Sequence, residues 1–411
     1  MWVLYRLLTL LFGLPALVYL GFRHGGSLAA RLGFLPRRDD RPLWVQAVSV
    51  GEVRLALRLL DQLGGEGLGA LLTTTTATGL ELAKREGAGA LPFPADLPWV
   101  MAHALGRVGP RAVVLLETEL WPGLLRSAAR AGVPVVVVNG RLSDRAYART
   151  LKFRGAFGES LSNLHVAAQS EEHAARFAAL GVPAGQIEVA GNLKYDLEPP
   201  RDFEAQRVAL VQLLPEGAPR WTAGSVREGE EEPVLRAHAL LREHVPEARL
   251  VLAPRHLERA EVCLKASAGL GLKAVRRTQA VPGGVWDVLV LDAMGELWAA
   301  YAVADLAFVG GSLVPLGGQN PLEPALLQKP LFFGPSMENF REVADLLLAA
   351  GGARQVSGAQ ELGEQLAALT ADPAARAAMG ERGRDIVRAH RGATARAAEF
   401  IRGVECRKDQ V

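Results

Sequence analysis

The sequence has few cysteines, few lysines and little net charge among its 411 residues. Its two cysteines, Cys263 and Cys406, lie far apart and match neither a disulfide framework nor a metal-site spacing, so we expect ordinary thiols in a reducing compartment. The net charge of +2, with no basic stretch interleaved with aromatic residues, argues against a nucleic-acid-binding protein. The sequence also lacks an Asp-x-Asp pair and a His-x-x-x-His pair. Because these common ligand patterns are missing, we expect no metal and no cofactor.

The longest apolar segment lies at the N-terminus. Between Trp2 and Phe22 the only charged residue is Arg6, and about 20 apolar residues can span a bilayer. Arginines follow at positions 23, 31, 37, 38 and 41, which favours a cytoplasmic location for the rest of the chain. A cleaved signal peptide is disfavoured because the charge comes after the apolar run and no clear cleavage site follows. We predict a membrane anchor at residues 1–22, and the interruptions at Gly13 and Pro15 leave a shallow insertion open as an alternative to a full span.

From Leu43 onward, short β-branched segments alternate with longer helical patterns, which is typical of parallel-sheet α/β proteins. Two series of strands are separated by a proline-rich, charged stretch at 198–217. The predicted strands are 43–50, 69–78, 112–117, 133–140, 164–170 and 187–192, then 220–225, 248–255, 286–292, 306–311 and 330–335. We therefore predict two doubly wound, Rossmann-like domains, at 40–197 and 218–395, that face a ligand cleft. A final helix that crosses back to the first domain is left open.

Ionisable residues follow several strands of the first predicted domain. Glu52 comes in the first turn of a helix, where an acidic residue more often responds to the helix dipole than acts as a base. Glu117 leaves a buried apolar strand, and Lys194, one of only seven lysines, is expected at the same edge. Because burial of ionisable groups needs a reason, these residues either orient a sugar or form an ion pair that holds loops together.

Three loops of the second predicted domain have features of a nucleotide site. Arg255 ends a strand with a guanidinium suited to phosphate. The turn Gly310–Ser312 offers backbone N–H groups that can bind an anion, and Glu323, one turn into a helix, can accept hydrogen bonds from ribose hydroxyls. The occurrence of these loops in one sheet indicates a nucleotide site. The charged run at 228–232 is expected to be the solvated first turn of a helix.

Ten short motifs together resemble the 3-deoxy-D-manno-octulosonic acid (Kdo) transferases of lipopolysaccharide assembly. They are AVSVGE, FPADLP, ETELWP, NGRLSD, AAQSEE, GNLKYD, APRH, MGEL, FVGGSL and NPLEP. Their order and spacing carry the resemblance, which runs from about Leu43 to near His390. It implies a GT-B fold and an anchor in the inner membrane with the catalytic domains on its cytoplasmic face. It also implies an inverting transfer of Kdo from CMP-Kdo to a lipid A precursor (lipid IVA).

The resemblance also implies roles for individual residues. Glu52 corresponds to a general base that deprotonates the acceptor hydroxyl, and Glu117 with Lys194 corresponds to a pair that stabilises the transition state. The CMP-binding residues that it implies are Pro254, Arg255, Met294, Gly295, Glu296, Asn320, Pro321, Leu322 and Glu323. Additional candidates at the site are Ser49, Gly51, Arg141, Gly311, Ser312 and Gln319.

The sequence departs from the family pattern at two positions. Gln319 precedes NPLEP where the family usually has histidine, and Arg227 precedes the EGEE run where histidine is frequent. Glutamine donates a hydrogen bond without charge and arginine adds a permanent charge, so we expect a different handling of the donor. Two alternatives stay open: a transferase of the same fold that uses another CMP-sugar or lipid acceptor, and an inactive membrane-anchored binding protein. The retained acidic and lysine residues argue against the latter, since a relaxed site should have lost at least one.

Overall fold

A computed structural model describes residues 28–64, 69–118 and 120–408. The predicted anchor at residues 1–22 lies outside this range. Within the described range, no helix combines the length and the apolar character needed to cross a bilayer. The chain divides into two compact units. Unit 1 comprises Met1–Asp196 with Arg391–Val411, and unit 2 comprises Leu197–His390.

Unit 1 is built on a seven-stranded parallel sheet. Its strands are β1 (Leu43–Ala47), β2 (Ala70–Thr74), β3 (Ala90–Pro92), β4 (Ala112–Leu116), β5 (Val135–Gly140), β6 (Leu164–Ala168) and β7 (Ile187–Val189). The strand order is β3-β2-β1-β4-β5-β6-β7. Every residue of β1, β4 and β5 is buried, which explains why these strands read as continuous apolar runs rather than as alternating patterns. The order reverses between β1 and β4, which places the predicted ligand edge there.

Unit 2 repeats this architecture. Its strands are β8 (Arg220–Val226), β9 (Arg249–Pro254), β10 (Ala274–Arg276), β11 (Val288–Val290), β12 (Leu306–Val309), β13 (Leu331–Phe333) and β14 (Ala353–Gln355). The order β10-β11-β9-β8-β12-β13-β14 reverses between β8 and β12. Two doubly wound sheets confirm the predicted α/β class with two domains. The cleft expected between them stays a prediction.

Helices cover the faces of both sheets. Those in the described residues are α1 (Leu28–Arg31), α2 (Val50–Leu63), α3 (Ala77–Arg85), α4 (Pro98–Val108), α5 (Pro122–Arg130), α6 (Asp144–Lys152), α7 (Glu171–Leu180), α8 (Phe203–Leu213), α9 (Glu231–His244), α10 (Ala260–Gly269), α11 (Leu297–Val303), α12 (Leu322–Leu326), α13 (Arg341–Ala349), α14 (Ala359–Ala371), α15 (Pro373–Ala389) and α16 (Ala393–Lys408). Buried side chains fill the space between each sheet and its helices.

Three strands were missed by the sequence patterns: β3, β10 and β14. Each has three residues and lies at the edge of its sheet. Their residues are partly exposed, and β14 has two exposed residues out of three. Since an edge strand packs against a single neighbour, it needs no apolar run, and the signal on which the prediction relied is weak there.

The last helix, α16, belongs to the core of unit 1. Ala397 and Ile401 are fully buried in the same cluster as residues of β1 and α2. Asp196, the last residue before the chain enters unit 2, accepts hydrogen bonds from the backbone N–H groups of Gly392 and Thr394, both at 2.6 Å. A carboxylate at a helix N-terminus satisfies donors that the helix itself leaves free. Asp196, where the chain leaves unit 1, therefore caps α16, the helix with which the chain returns to unit 1.

Candidate functional site

The predicted site residues of unit 1 lie at the carboxyl edge of its sheet. Glu52 follows β1 and Glu117 follows β4, the two strands between which the strand order reverses. Arg141 follows β5, and Lys194 lies in the loop after β7. Ligands of doubly wound sheets bind outside the strand ends at such a point. The topology therefore brings the predicted acidic and basic residues to the position where this fold offers a binding site.

Glu52 is held in place by the start of α2. It is 9% exposed, and its backbone N–H donates to the hydroxyl of Ser49, the N-cap, at 3.3 Å. The same hydroxyl donates to Glu52 Oε1 at 3.0 Å, and Oε2 accepts the N–H of Val48 at 2.8 Å. This reciprocal bonding resembles a capping box, and it fixes the direction of the carboxylate.

Gly51, one of the additional candidates, has a backbone conformation that does not require glycine. Gly51 is not among the residues with positive φ, and an added Cβ would meet only the Ser49 hydroxyl, at 3.8 Å. The turn before Glu52 is held by a threonine that follows β2. The hydroxyl of Thr76 donates to the carbonyl of Val48 at 3.0 Å, which anchors the loop that leads to Glu52.

Glu117 and Lys194 form an ion pair, with 3.0 Å between Lys194 Nζ and Glu117 Oε1. Both side chains are partly buried, with exposures of 28% for Lys194 and 20% for Glu117. The backbone of Glu117 has φ 59°, in the left-handed region that glutamate seldom adopts. Strained backbone of this kind is concentrated at functional sites. The two residues that the sequence placed at one edge are thus in direct contact.

Asn139, which sequence reasoning missed, supports the loop that carries Lys194. It is fully buried and has φ 58° at the end of β5. Its Oδ1 accepts the N–H of Leu193 at 3.0 Å, and its carbonyl accepts from the side chain of Gln169 at 3.1 Å. Asparagine tolerates the left-handed region better than most residues, so an asparagine before a glycine at a strand end was the available signal. Asn139 fixes the residue directly before Lys194.

The backbone of Arg141 is bonded to Thr118, the residue after Glu117. The hydroxyl of Thr118 donates to the carbonyl of Arg141 at 2.7 Å. The bond joins the loops after β4 and β5, and the half-buried guanidinium stands at the same edge of the sheet.

In unit 2, the glycine turn after β12 is already occupied by a carboxylate. Glu230 is fully buried, and its Oε2 accepts the N–H groups of Arg227 at 2.8 Å and Gly311 at 2.6 Å. Its Oε1 accepts those of Ser312 and Leu313, both at 2.8 Å. The prediction that Gly311 and Ser312 bind an external anion is therefore wrong, because their N–H groups already donate to the carboxylate of Glu230.

The expectation that residues 228–232 form a solvated turn is also wrong in part. Glu231 is 4% exposed, and like Glu230 it faces inward. Its Oε2 accepts the N–H of Gly229 at 2.9 Å, and its Oε1 accepts a hydrogen bond from Arg259. A run of four acidic residues and a glycine gave no indication which of them would be buried.

Glu296 keeps one carboxylate oxygen without a hydrogen-bond partner. The residue is 8% exposed, and Arg277 Nη2 lies 3.0 Å from Oε1, while the buried Oε2 has no partner among the described residues. Burial raises the pKa of Glu296, and the charge of Arg277 opposes the rise. Beside it, Gly295 has φ 91° and the side chain of Met294 is 72% exposed. A buried acceptor next to an exposed loop fits a ligand that brings a donor.

The NPLEP segment forms the start of α12. Asn320 Oδ1 accepts the N–H of Leu322 at 3.1 Å, and Asn320 Nδ2 donates to Glu323 Oε1 at 3.1 Å. Pro321 and Leu322 are buried, which anchors the segment. Burial and, secondarily, the negative charge of Glu323 raise the pKa of Tyr301. The carboxylate of Glu323 is thus set by its neighbours rather than free to rotate.

The remaining predicted residues of unit 2 also follow strands of the same sheet. Pro254 is the buried end of β9, and Arg255 comes directly after it with an exposed side chain. Gln319 donates its N–H to the carbonyl of Gly310 at 3.1 Å. Within the described ranges, no group of three acidic, histidine or cysteine residues could hold a metal ion.

Comparison with known proteins gives consistent relatives. Residues 26–197 match the family described as 3-Deoxy-D-manno-octulosonic-acid transferase (kdotransferase). The 3-deoxy-D-manno-octulosonic acid transferase of Haemophilus influenzae is 33% identical over 92% of this chain and 92% of its own. That of Bordetella pertussis is 37% identical over 88% of this chain and 86% of its own. A glycosyltransferase structure from Rickettsia africae has a TM-score of 0.57 at 12% identity, covering 89% of this chain and 98% of that chain, and shows a shared fold.

Proposed function

This chain belongs to the Kdo transferase family, a family of glycosyltransferases, and we propose that it transfers Kdo from CMP-Kdo to a lipid A precursor with inversion and without a metal. The observation that supports this most directly is the contact of Glu117 with Lys194, since Glu117 and Glu52 follow the two neighbouring strands between which the strand order of unit 1 reverses. An inactive binding protein has no need of an ion pair with a strained glutamate backbone at this edge.

In the proposed reaction, Glu52 acts as the general base. Its carboxylate takes the proton from the acceptor hydroxyl, and the acceptor oxygen forms a bond to the anomeric carbon of Kdo. The bond from that carbon to the phosphate oxygen breaks, and CMP leaves with the electron pair. The hydrogen bonds from Ser49 and Val48 support this role, because they hold the carboxylate in one orientation.

Glu117 and Lys194 are proposed to stabilise the transition state. Departure of CMP leaves positive charge on the sugar ring, which a carboxylate can offset, while Kdo itself carries an acidic group that an ammonium can offset. A paired carboxylate and ammonium can serve both charges without a change in net charge. Asn139 is proposed to position Lys194 through Leu193.

The domain roles follow from the same assignment. We place acceptor binding in the domain at 40–197 and CMP binding in the domain at 218–395. The proposed CMP-binding residues are Pro254, Arg255, Met294, Gly295, Glu296, Asn320, Pro321, Leu322 and Glu323. The unpartnered oxygen of Glu296 supports a contact with a donor on the nucleotide, and the fixed carboxylate of Glu323 supports contacts with ribose hydroxyls.

Attachment to the cytoplasmic face of the inner membrane is proposed through residues 1–22. Leu28, Phe34 and Trp99 expose apolar side chains, with 42%, 55% and 47% of their surfaces accessible. The ring of Phe34 lies 4.9 Å from that of His103, one turn of α4 from Trp99. Exposed apolar side chains, in a sequence that also has an apolar N-terminus followed by several arginines, support contact with a membrane surface.

The assignment is tested with CMP-Kdo and a tetra-acylated lipid A precursor. The chain should release CMP and form Kdo-modified lipid, and a chelator should leave the rate unchanged. Product with another CMP-sugar or lipid only would favour the alternative transferase, and no CMP release with any CMP-sugar tested would favour the inactive binding protein.

For the base, Glu52→Gln should fold with near-normal thermal stability and lose roughly 10²–10⁴-fold in turnover. The matched control is Glu171→Gln, which changes another first-turn glutamate behind a serine N-cap, at the exposed start of α7. Substantial turnover by Glu52→Gln would remove this residue from the mechanism and leave it as a helix cap.

A further inference from the structure

Two arginines follow adjacent strands at the carboxyl edge of unit 2. Arg227 comes directly after β8 and Arg255 directly after β9, and Val226 is paired with Pro254 in the parallel register. The N–H of Arg255 donates to the carbonyl of Val226 at 2.8 Å. Because neighbouring strands lie about 5 Å apart, the two arginines start side by side. In the part of the chain that the structure describes, neither guanidinium has an ion-pair partner.

The backbone donors beside these arginines are not available to a ligand. The N–H groups of Gly311, Ser312 and Leu313 all bind the carboxylate of Glu230. These three N–H groups are therefore not available to a phosphate at this edge, where the arginine side chains offer charged donors. Glu230 also adds a buried negative charge beneath the loop, which increases the need for nearby cations.

Gly311 leaves room for two side chains to approach each other. An added Cβ at this position would lie 3.3 Å from Arg227 Cγ, 3.3 Å from Gln319 Cγ and 3.4 Å from Gln319 Nε2. Arg227 and Gln319 thus flank one glycine. The two positions at which the sequence departs from the family pattern therefore lie on the two sides of Gly311.

We propose that Arg227 binds the phosphate of the cytidine nucleotide together with Arg255, and that Gln319 donates a hydrogen bond to the same group. This inference rests on the proposed function. The phosphodiester of CMP-Kdo carries one negative charge, and the phosphate gains a second when the bond to the sugar breaks and the electron pair stays on its oxygen. Two guanidinium groups therefore match the leaving group better than the bound donor, which favours the transition state over the ground state.

The test compares the binding of CMP with that of cytidine, which lacks the phosphate, by titration calorimetry on the full chain and by competition where cytidine binds weakly. Arg227→Gln should weaken CMP binding roughly 10- to 100-fold, as expected for a charge-assisted contact, and should change cytidine binding less than about 2-fold. Arg227→Lys should lie between wild type and Arg227→Gln, because it keeps the charge without the bidentate geometry. Arg236→Gln, on the exposed face of α9, is the matched control and should leave both affinities unchanged.

The outcomes separate the inference from the proposed function. Wild-type protein that binds no CMP would contradict the proposed function itself. Wild-type protein that binds CMP, with an unchanged affinity in Arg227→Gln, would overturn the role of Arg227 alone. Equal weakening of CMP and cytidine would also overturn it, because a distorted pocket and not a phosphate contact would then be the cause. If Arg227→Gln does not fold, Arg227→Lys decides, with roughly a 3- to 10-fold loss for CMP expected.

Discussion

Replacing the carboxylate of Glu230 tests what holds the 311–313 loop of unit 2 in place. This carboxylate accepts four backbone N–H groups and is fully buried. In Glu230→Gln one oxygen remains as an acceptor, while the new amide NH₂ points at two backbone donors. Two charge-assisted hydrogen bonds are lost, each with a net value of about 1.5–3 kcal/mol, and two donors are left buried. We expect unit 2 to lose about 3–5 kcal/mol of its free energy of unfolding.

For a domain of this size, such a loss lowers the midpoint of thermal unfolding by roughly 6–20 °C. Differential scanning calorimetry of the full chain measures it. The matched control is Glu232→Gln, which removes an exposed carboxylate from the same helix; its ion pair with Arg236 is worth less than about 1 kcal/mol. If Glu230→Gln unfolds within about 2 °C of the wild type while Glu232→Gln behaves as expected, the loop is not held by this carboxylate.

Three further predictions concern residues away from the 311–313 loop. Asn139→Ala should lower the free energy of unfolding by about 2–4 kcal/mol, because alanine disfavours a φ of 58° and the N–H of Leu193 loses its acceptor. Urea unfolding measures this loss, and an unchanged midpoint would contradict it. Burial lowers the pKa of His238 from 6.5 to about 3. On acidification this histidine is therefore protonated in the unfolded chain before it is protonated in the folded chain. The stability that it contributes above pH 6.5 is lost as the pH falls towards 3. The difference in melting temperature between wild type and His238→Gln should therefore narrow over that range, and a constant difference would refute it. Burial raises the pKa of Cys263 to about 12, so a thiol reagent should modify exposed Cys406 alone in the folded chain and both thiols in denaturant.

The parts of the fold that could be predicted are those where burial dictates composition. The central strands β1, β4 and β5 are buried throughout, and their apolar runs were sufficient to place them. The edge strands β3, β10 and β14 pack against one neighbour, and no composition is imposed on them. Topology then brought Glu117 and Lys194 to one edge, because carboxyl ends of parallel strands meet there.

The roles of the predicted site residues stay predictions, and the bonding of the Gly311 turn could not be predicted from the sequence. The Gly311 turn looked like a cradle for an external anion, yet the anion is Glu230, which stands 81 positions earlier in the sequence. No local pattern links these two residues, since their contact depends on the pairing of β8 with β12. The contribution of Asn139 was missed for a similar reason, because its partner Leu193 is 54 positions away.

The cap that Asp196 provides for α16 has a consequence for biosynthesis. Unit 2 is one continuous segment, Leu197–His390, whereas unit 1 needs α16, which is synthesised only after all of unit 2. Domains fold as units during translation, usually beginning with the most N-terminal. We expect the reverse order here, because the face of β1 and α2 that α16 covers stays exposed until α16 reaches Asp196. Nascent chains halted just after His390 should therefore carry a protease-resistant unit 2 and a protease-sensitive unit 1.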